Sequence, residues 1–459
     1  MIPTKLEASL HSSEKSSFTS VDIRSLLRRL FRGTSWTAVG TGAVQLLGLL
    51  AAILTARILG RSRYGELGII QSTISMFGVF AGMAMGITAT RFVAQYRSTD
   101  AQRAGRFVAI PCVLGGAGAM LISIAIIVLA RWLAQSVLDR PLLATALRLA
   151  ALQIAFDTLL NVQIAVLAGL ESFRSAALVQ MSMAALRAGA TVAGAHFLGV
   201  AGCIAAHTLA SMITCAALQS RVRAECQRYG IPISLKGAIE ELPSLWSFSV
   251  PTLMASLVLA PTAWICRVLL VRLPNGYEQM GIYNACLQWV NGLRFLPLRL
   301  LTVSMPMLSN LYGTSAVHEY YRSHRFTQLA VLAVAAVIGG GVALFAKPAL
   351  SLYGRDFTGG HLVLVVAMID ATLQLLTRTQ TQVALSRGHA VVDLVTSAIR
   401  AALLIGLWWR LTHLGALGLV SASAISYGLA ACGLTVYVHR QKVRDFARVE
   451  ALKKGQAEL

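Results

Sequence analysis

The sequence predicts an all-α polytopic membrane protein, with twelve transmembrane helices in two six-helix bundles around a central cationic cavity. Three observations support this fold class. Of 459 residues, 56% are hydrophobic and only 13% are charged, whereas globular domains have about 25% charged residues. The apolar residues form runs of about 20 or more, long enough to cross a bilayer as helices. Similar segments also recur at a nearly constant spacing, which indicates two related halves.

The apolar runs give the number and order of the predicted spans. They cover residues 35–59, 67–95, 105–131, 142–168, 174–197, 199–220, 245–271, 280–311, 326–350, 361–385, 390–410 and 415–438. We therefore expect five regions along the chain. These are a tail with an interfacial helix (1–34), a first bundle (35–220), a cytoplasmic linker (221–244), a second bundle (245–438) and a basic cytoplasmic tail (439–459).

The N-terminal region is predicted to lie in the cytoplasm and on the membrane surface. Residues 1–20 are serine-rich and lack an apolar run, which indicates a disordered tail rather than a secretory signal. Residues 21–32, VDIRSLLRRLFR, place apolar residues at helical spacing, with Arg24, Arg28 and Arg32 opposite them. That pattern predicts a helix on an anionic leaflet. The alternative, a positively charged flank of the first span, gives the same topology.

The distribution of basic residues predicts the orientation. With a cytoplasmic N-terminus, 24 of the 40 lysines and arginines lie on the cytoplasmic side, 11 on the opposite side and 5 inside spans. This bias favours a cytoplasmic location for both termini. Although the net charge is +21, most basic residues flank apolar runs, so we expect no nucleic-acid partner.

The two halves are predicted from repeated segments. LGVAGCIAA at Leu198 resembles LGALGLVSA at Leu414, and ARILGRSRYGELGIIQS at Ala56 resembles VRLPNGYEQMGIYNAC at Val271. The second member of each pair follows the first at almost the same offset along the chain. Because six spans is an even number, both halves start on the same side, and a parallel repeat places a binding site between them near the midplane. The alternative is a chance similarity between segments rich in small residues.

Glycines suggest where helices approach each other. Gly78, Gly82 and Gly86 recur at every fourth position and share one face of the second predicted span. Such a double GxxxG pattern predicts close packing against another helix.

Six segments of the chain show a common resemblance: SWTAVGTGAVQLLGLLAAILTARILGRSRYGELGIIQS, GMAMGITATRFVAQY, GLESFRSAALVQ, SFSVPTLMASLVLAPTAWICRVLLVRLPNGYEQMGIYNACLQWVNGLRFLPLRLLTVSMPMLSNLYG, LSRGHAVVDLVTSAIRAAL and HLGALGLVSASAISY. They resemble bacterial polysaccharide flippases of the multidrug/oligosaccharidyl-lipid/polysaccharide exporter superfamily. The resemblance covers roughly residues 33–438. In one departure, Cys266 precedes Arg267 where the family often has an acidic residue, which puts an acid–base pair and ion coupling at that position in doubt.

The resemblance implies a transporter rather than an enzyme. Its cargo would be a polyprenyl-diphosphate-linked oligosaccharide, moved from the inner to the outer leaflet of the bacterial inner (cytoplasmic) membrane by alternating access. We expect a monomer that works among membrane lipids beside a polysaccharide polymerase and glycosyltransferases. The sequence does not distinguish lipopolysaccharide O-antigen from capsule or exopolysaccharide.

Charged residues inside the spans suggest the site. Five arginines (187, 294, 299, 378 and 400) face only two clear acids, Asp157 and Asp370. Each such charge costs roughly 2.5–3.5 kcal/mol on insertion scales, and pairing cannot neutralise all five. Arginine matches phosphate oxygens through several planar donors. The candidate diphosphate-binding residues are Arg294, Arg299, Arg187, Arg400, Arg91, Arg378 and Arg267.

Their positions differ. Arg294 and Arg299 flank Pro297, which frees a backbone carbonyl and could open a polar face. By the repeat, Arg187 and Arg400 share one face of equivalent helices and could form a clamp. The alternatives are snorkelling to headgroups for the arginines nearer span ends, and a salt bridge from Arg294 to one of the acids.

Asp157 and Asp370 are the candidate ion-coupling residues, for Na⁺ or H⁺; the alternative is a salt bridge to an arginine. We expect no other cofactor and no bound metal. A second functional hypothesis is a small-molecule antiporter of the multidrug type, but excess arginine disfavours cationic cargo. An integral enzyme would be expected to have a large extramembrane loop or acidic cluster, and no nucleotide-binding loop of the form GxxxxGKS or GxxxxGKT occurs.

Overall fold

The computed structural model describes residues 23–82, 85–313 and 316–457, and these form helices joined by short loops, without a β-strand. The predicted tail, residues 1–20, lies outside the described residues. The α-helices are α1 (Ile23–Gly82), α2 (Met85–Tyr96), α3 (Ala101–Trp132), α4 (Leu143–Gly169), α5 (Phe173–Arg228), α6 (Ala238–Val271), α7 (Gly276–Gly313), α8 (Val317–Leu344), α9 (Ala346–Ser351), α10 (His361–Ser386), α11 (Ala390–Leu411) and α12 (Ala416–Ala457). A π-helical turn (Leu133–Val137) extends α3, and 3₁₀ turns cover Arg355–Gly360 and Thr412–Leu414.

The helices confirm an all-α, multi-pass membrane protein. Eight helical stretches of the described residues are long and apolar enough to cross a bilayer. Two of them, in α1 and α5, are far longer than one bilayer crossing requires. Each contains one non-helical glycine, Gly60 in α1 and Gly199 in α5. Gly60 lies between predicted spans 35–59 and 67–95, and Gly199 is the first residue of predicted span 199–220, just after span 174–197.

Some boundaries differ from the predicted ones. Helix α8 ends at Leu344 rather than near residue 350, because a separate short helix, α9, follows it. Only residues 229–237 lie between α5 and α6, and α12 runs through the predicted C-terminal tail to Ala457. Arginine, lysine, glutamine and alanine favour helix, so these helices continue after the apolar run has ended. Helix α1 starts at Ile23 and continues without a break into the first predicted span.

Residues with left-handed backbone conformations recur along the chain at a nearly constant spacing. We call the described residues before 229–237 the first half, and those after it the second half. Four positions with positive φ in the first half have a counterpart in the second half: Gly60 and Asn275, Asp139 and Gly354, Glu171 and Gly388, Gly199 and Gly415. Gly199 (φ 62°, ψ −138°) and Gly415 (φ 57°, ψ −133°) share nearly the same conformation. The offset within these pairs matches, to within a position or two, the offset of the repeated sequence segments.

The halves meet where α1 and α7 cross at two glycines. A Cβ on Gly65 would collide with the carbonyl oxygen of Tyr277, and one on Gly281 with the carbonyl oxygen of Arg61. These glycines are themselves related by the offset of the repeat, so each half contributes the equivalent residue to the crossing. In contrast, a Cβ on Gly78 or Gly82 would meet nothing within 4 Å. The predicted close packing at those two glycines is therefore wrong.

Two arginines connect the halves reciprocally. Arg57 Nε of the first half donates to the carbonyl oxygen of Leu352 at 2.5 Å, and Arg272 Nε of the second half donates to that of Val137 at 3.0 Å. Arg57 and Arg272 are as far apart in sequence as Val137 and Leu352, so the two contacts are equivalent under the repeat. They lie at the end of the molecule that carries the turn at Gly60, called here the Gly60 end. The opposite end, with residues 229–237, is called the linker end.

Candidate functional site

A polar cavity lies between the two halves. It has a volume of about 530 Å³ and is lined by residues of α1, α4, α5 and α7. Its charged lining residues are Asp157 and Arg187, beside His207. Six amide side chains also face it: Gln45, Gln71, Asn161, Gln180, Asn284 and Gln288. Each amide both donates and accepts hydrogen bonds, so this lining, which we call the amide cavity, suits a ligand rich in hydroxyl groups.

Asp157 and Arg187 form an ion pair in the amide cavity. Arg187 Nη2 lies 3.1 Å from Asp157 Oδ1 and donates to Ser211 Oγ at 2.9 Å. Ser211 Oγ donates to the same carboxylate oxygen at 2.7 Å, while Gln153 Nε2 donates to Oδ2 at 3.0 Å. Both carboxylate oxygens are therefore occupied. The salt bridge named as an alternative for Asp157 is present, with Arg187 as its partner.

A second cavity, of about 220 Å³, is lined by residues of the second half. Its charged lining residues are Arg267, Arg294, Arg400 and one acid, Asp370. We call it the arginine cavity. No salt bridge joins these four residues to any acid or base within the described part of the chain. Three guanidinium groups beside one carboxylate leave a net positive lining.

Neutral partners hold two of the arginines of this cavity. Arg294 donates to Gln374 Oε1, and Gln374 Nε2 in turn donates to Asp370 Oδ2 at 2.7 Å. In place of the salt bridge named as an alternative for Arg294, Gln374 therefore forms an indirect link between Arg294 and Asp370. The guanidinium of Arg400 lies 4.1 Å from the ring centre of Tyr427, a cation–π contact.

The third arginine, Arg267, crosses between the halves. Its Nη1 donates to Ser72 Oγ on α1 at 2.7 Å. Its Nε is buried without a hydrogen-bond partner among the described residues. Arg267 therefore retains a donor that a ligand oxygen could accept from.

The structure does not bring Arg187 and Arg400 into a common clamp. Arg187 lines the amide cavity and Arg400 the arginine cavity, because each packs inside its own half. They are nevertheless equivalent under the repeat. The offset from Asp157 to Asp370 equals that from Arg187 to Arg400, and the offset from Ser211 to Ser423 is one position shorter. Ser423 donates to Asp370 as Ser211 does to Asp157.

The remaining predicted arginines lie outside both cavities. Arg299 is exposed and donates to Thr41 Oγ1 on α1 at 2.7 Å, and α7 stays helical past Pro297. Arg91 is exposed beside the ring of Phe92, at 5.5 Å. Arg378 is also exposed, close enough to Asp393 to interact with it electrostatically.

Sequence reasoning missed most of the neutral lining. The amides of the amide cavity come from four helices distant in sequence, so no local pattern marks them. His207, which has no candidate ligand residues near it in sequence, also lines the amide cavity. Tyr427 lies in the middle of an apolar run, and its contact with Arg400 is not encoded in spacing. The signal that was available is the repeat, which pairs Ser211 with Ser423.

Comparisons with known proteins agree with this architecture. Residues 30–312 match the family described as "Polysaccharide biosynthesis protein". A 107-residue segment is 25% identical to the EPS I polysaccharide export inner membrane protein EpsE of Ralstonia nicotianae, and 26% identical to that of Ralstonia solanacearum. Each alignment covers 23% of this chain and 22% of the relative, about a fifth of the relatives' length.

Solved structures show the fold. A multidrug resistance MATE family transporter of the MOP superfamily in an inward-facing conformation has a TM-score of 0.73 at 15% identity, over 90% of this chain and 96% of that one. A MOP superfamily transporter from Pyrococcus furiosus, described by the reverse polarity of its binding pocket, has a TM-score of 0.66 at 14% identity, over 91% and 96%.

Proposed function

The chain belongs to the polysaccharide biosynthesis protein family and has the fold of MOP-superfamily transporters, and from this premise we propose that it is a flippase for a polyprenyl-diphosphate-linked oligosaccharide. It moves this cargo from the inner to the outer leaflet of the bacterial cytoplasmic membrane, with both termini in the cytoplasm. It acts as a monomer beside a polysaccharide polymerase and glycosyltransferases.

The proposed architecture is twelve spans in two six-helix bundles. Interruptions at Gly60 and Gly199 divide α1 and α5 into two spans each. The four repeated left-handed positions then fall at matching loops of the two halves. A pseudo-twofold axis along the membrane normal passes near Gly65 and Gly281, where equivalent residues touch.

The main support for this function is a pair of polar cavities with complementary chemistry, both lined in part by α7. Amide groups in the amide cavity match sugar hydroxyls. Arg267, Arg294 and Arg400 in the arginine cavity match the diphosphate, since their charges have no acidic ion-pair partner among the described residues. A cationic drug would require acidic partners, and each cavity has only one acid, which disfavours a multidrug-type antiporter.

The conformation supports alternating access. The contacts at Gly65 and Gly281, and the reciprocal bonds of Arg57 and Arg272, hold the two halves together at the Gly60 end. With a cytoplasmic N-terminus, that end faces the outside, so the cargo site is closed outward in this state. Separation of these contacts, with closure at the linker end, would expose the site outward.

Asp370 is the better candidate for ion coupling. Its carboxylate accepts hydrogen bonds from Ser423 and Gln374 and has no cation within salt-bridge distance in the described structure, whereas Asp157 is bound to Arg187. Na⁺ or H⁺ would bind there. Transport under an imposed Na⁺ or proton gradient, measured for the wild type and Asp370→Asn, tests which ion is used; equal gradient dependence in both proteins would contradict this assignment.

The function itself is tested in proteoliposomes. Wild-type protein should move a fluorescent polyprenyl-diphosphate oligosaccharide across the bilayer, and Arg267→Ala, Arg294→Ala and Arg400→Ala should be impaired while remaining folded. Arg131→Ala, an exposed arginine at the Gly60 end, is the control. A wild type that moves a lipophilic cation but no lipid-linked glycan would contradict the proposal and favour the antiporter.

A further inference from the structure

The amide cavity has a lining without net charge. Its charged side chains are Asp157 and Arg187, whose opposite charges form one ion pair. The other polar groups of the lining are amides, hydroxyls and the imidazole of His207. A ligand in this cavity therefore meets hydrogen-bonding groups rather than an uncompensated charge.

Most hydrogen-bonding groups of this lining are available to a ligand. Five of the six amides, all except Gln288, which bonds to the Tyr64 hydroxyl, make no side-chain hydrogen bond with any residue that the structure describes. Thr55 also lines the cavity, and its hydroxyl oxygen is buried without a partner among the described residues. Because an unpaired buried polar group costs free energy, ligand hydroxyls and amides that reach these groups gain affinity.

We infer that the glycan carried by this protein is uncharged, built from hexoses and N-acetylhexosamines and free of uronic acids, an inference that rests on the proposed function. Neutral sugars offer hydroxyl and acetamido groups, which donate to and accept from amide side chains without any change of charge. A sugar carboxylate would leave water and find no cation in this lining that is free of an acid, and burying such a charge is costly. The cavity therefore selects against acidic sugars.

Arg187 does not supply a site for a sugar carboxylate. It already binds Asp157 and Ser211, so a second carboxylate beside it would also lie close to the Asp157 carboxylate and be repelled by it. The arginines that lack an acidic partner among the described residues lie elsewhere, since α7 directs Asn284 to the amide cavity and Arg294 to the arginine cavity. The protein thus separates anion binding, which suits the diphosphate, from neutral hydrogen bonding, which suits the sugars.

Transport of two matched cargoes by the wild type measures this preference directly. Both cargoes carry the same polyprenyl diphosphate and a tetrasaccharide, and they differ in one sugar, a hexose in the neutral cargo and a hexuronic acid in the acidic one. Rates are compared in proteoliposomes at pH 8, above the range in which histidine ordinarily titrates, so that His207 adds no charge. We expect the neutral cargo to move at least about tenfold faster, because the penalty for one uncompensated charge at membrane depth corresponds to at least that factor.

Changing the charge of the cavity should change the preference. Asp157→Asn leaves Arg187 uncompensated, so the acidic cargo should gain on the neutral one until the two rates agree within about threefold. Gln180→Lys adds a cation to the lining while the ion pair stays intact, and it should have the same effect even where Asp157→Asn is too unstable to assay. The double variant Asp157→Asn, Arg187→Gln makes the lining neutral again and should restore the wild-type preference. Gln95→Lys is the matched control and should keep that preference, because Gln95 is an exposed glutamine on α2 that lines neither cavity.

The ratio of the two rates in one variant does not depend on how much of the protein is folded, so a merely structural defect leaves it unchanged. Equal rates for both cargoes in the wild type, or faster transport of the acidic one, would overturn the inference and leave the proposed flippase intact. A preference that persists unchanged in both Asp157→Asn and Gln180→Lys would overturn it as well, since the charge balance of the cavity would not be its cause. A wild type that transports neither cargo would overturn the proposed function and this inference with it.

Discussion

The two halves have equivalent acid–arginine–serine sets that form different contacts. In the first half, Arg187 binds Asp157 at 3.1 Å. In the second half, the equivalent Arg400 lies over the ring of Tyr427 instead of binding Asp370. The offset between the two serines places Cys215 at the position equivalent to Tyr427, and a thiol has no aromatic face to hold a guanidinium. One aromatic residue thus accounts for a paired arginine in one half and an unpaired one in the other.

The difference matters for cargo binding. A paired arginine has already exchanged water for a carboxylate, so a second anion must compete with Asp157. An arginine held by a neutral ring keeps its charge for a ligand. The same fold element therefore supplies a neutralised site in one half and a cationic site in the other.

The largest expected effect comes from removing the unpaired arginine. Arg400→Ala should lower transport of the lipid-linked glycan roughly 10- to 100-fold, because a hydrogen bond between charged groups is worth about 1.5–3 kcal/mol. Arg187→Ala should have a smaller effect on transport, since its charge is compensated. Initial rates in proteoliposomes measure both. Equal losses in the two variants would show that the contrast between the halves has no functional meaning.

The free energy of unfolding should instead be more sensitive to changes in the first half than to changes in the second. Asp157→Asn leaves Arg187 without its partner and should lower the free energy of unfolding in detergent by roughly 1–2 kcal/mol. Breaking a fully buried pair costs about 3–5 kcal/mol, but the side chains of this pair are 26% and 37% exposed and the pair is therefore partly screened. Asp370→Asn should be closer to neutral, because no ion pair is broken.

The double variant Asp157→Asn, Arg187→Gln is the control for this stability difference. It should recover most of the stability lost in Asp157→Asn, since no uncompensated charge remains. A double variant as unstable as the single one would mean that Asp157 acts through Gln153 and Ser211 rather than through the arginine.

Sequence alone predicted the helices, the repeat and the charged residues of the two sets, but not which of the two arginines forms an ion pair. Apolar runs and the nearly constant offset between similar segments are readable directly from the chain, so they predict the helices and the repeat. Asp157, Asp370, Arg187 and Arg400 stand out because charges are rare in apolar runs. Which arginine pairs depends on the ring of Tyr427, brought from another helix.

The close approach of two helices at glycines was predicted at the wrong positions for the same reason, because the partner helix is not encoded in local sequence. Of the double GxxxG, only Gly86 faces a neighbouring helix, where a Cβ would lie 3.6 Å from Ala165 Cβ, whereas the closest crossing uses Gly65 and Gly281, which stand outside any such motif. Spacing shows which residues share a helix face, whereas the neighbouring helix decides whether that face is covered.

A smaller effect should follow from changing the ring itself. Tyr427→Phe keeps an aromatic face for Arg400 and should retain transport within about twofold. Tyr427→Leu removes it and should weaken transport several-fold, because a cation–π contact is worth about 0.5–2 kcal/mol. Identical activity of the two variants would show that the ring does not position Arg400, and transport rates with a thermal-stability check decide the point.

The smallest effect is expected at the Gly60 end, where the halves are equivalent. Arg57→Ala removes one hydrogen bond to a carbonyl of the opposite half, that of Leu352, and Arg272→Ala removes two, to Val137 and Ser136. Each should shift the population toward the outward-open state by a factor of a few, with the larger shift for Arg272→Ala, since each such bond is worth about 1 kcal/mol.

Spin–spin distances across the Gly60 end, in single variants and in the double variant, measure this shift. Arg410→Ala, an exposed arginine at the same end, should leave the distances unchanged. Because the two contacts are related by the repeat and both must break when the halves separate, their effects should add in the free energy of opening. A large shift from one variant and none from the other would mean that the backbone repeat, like the acid–arginine sets, has diverged in its contacts at this end too.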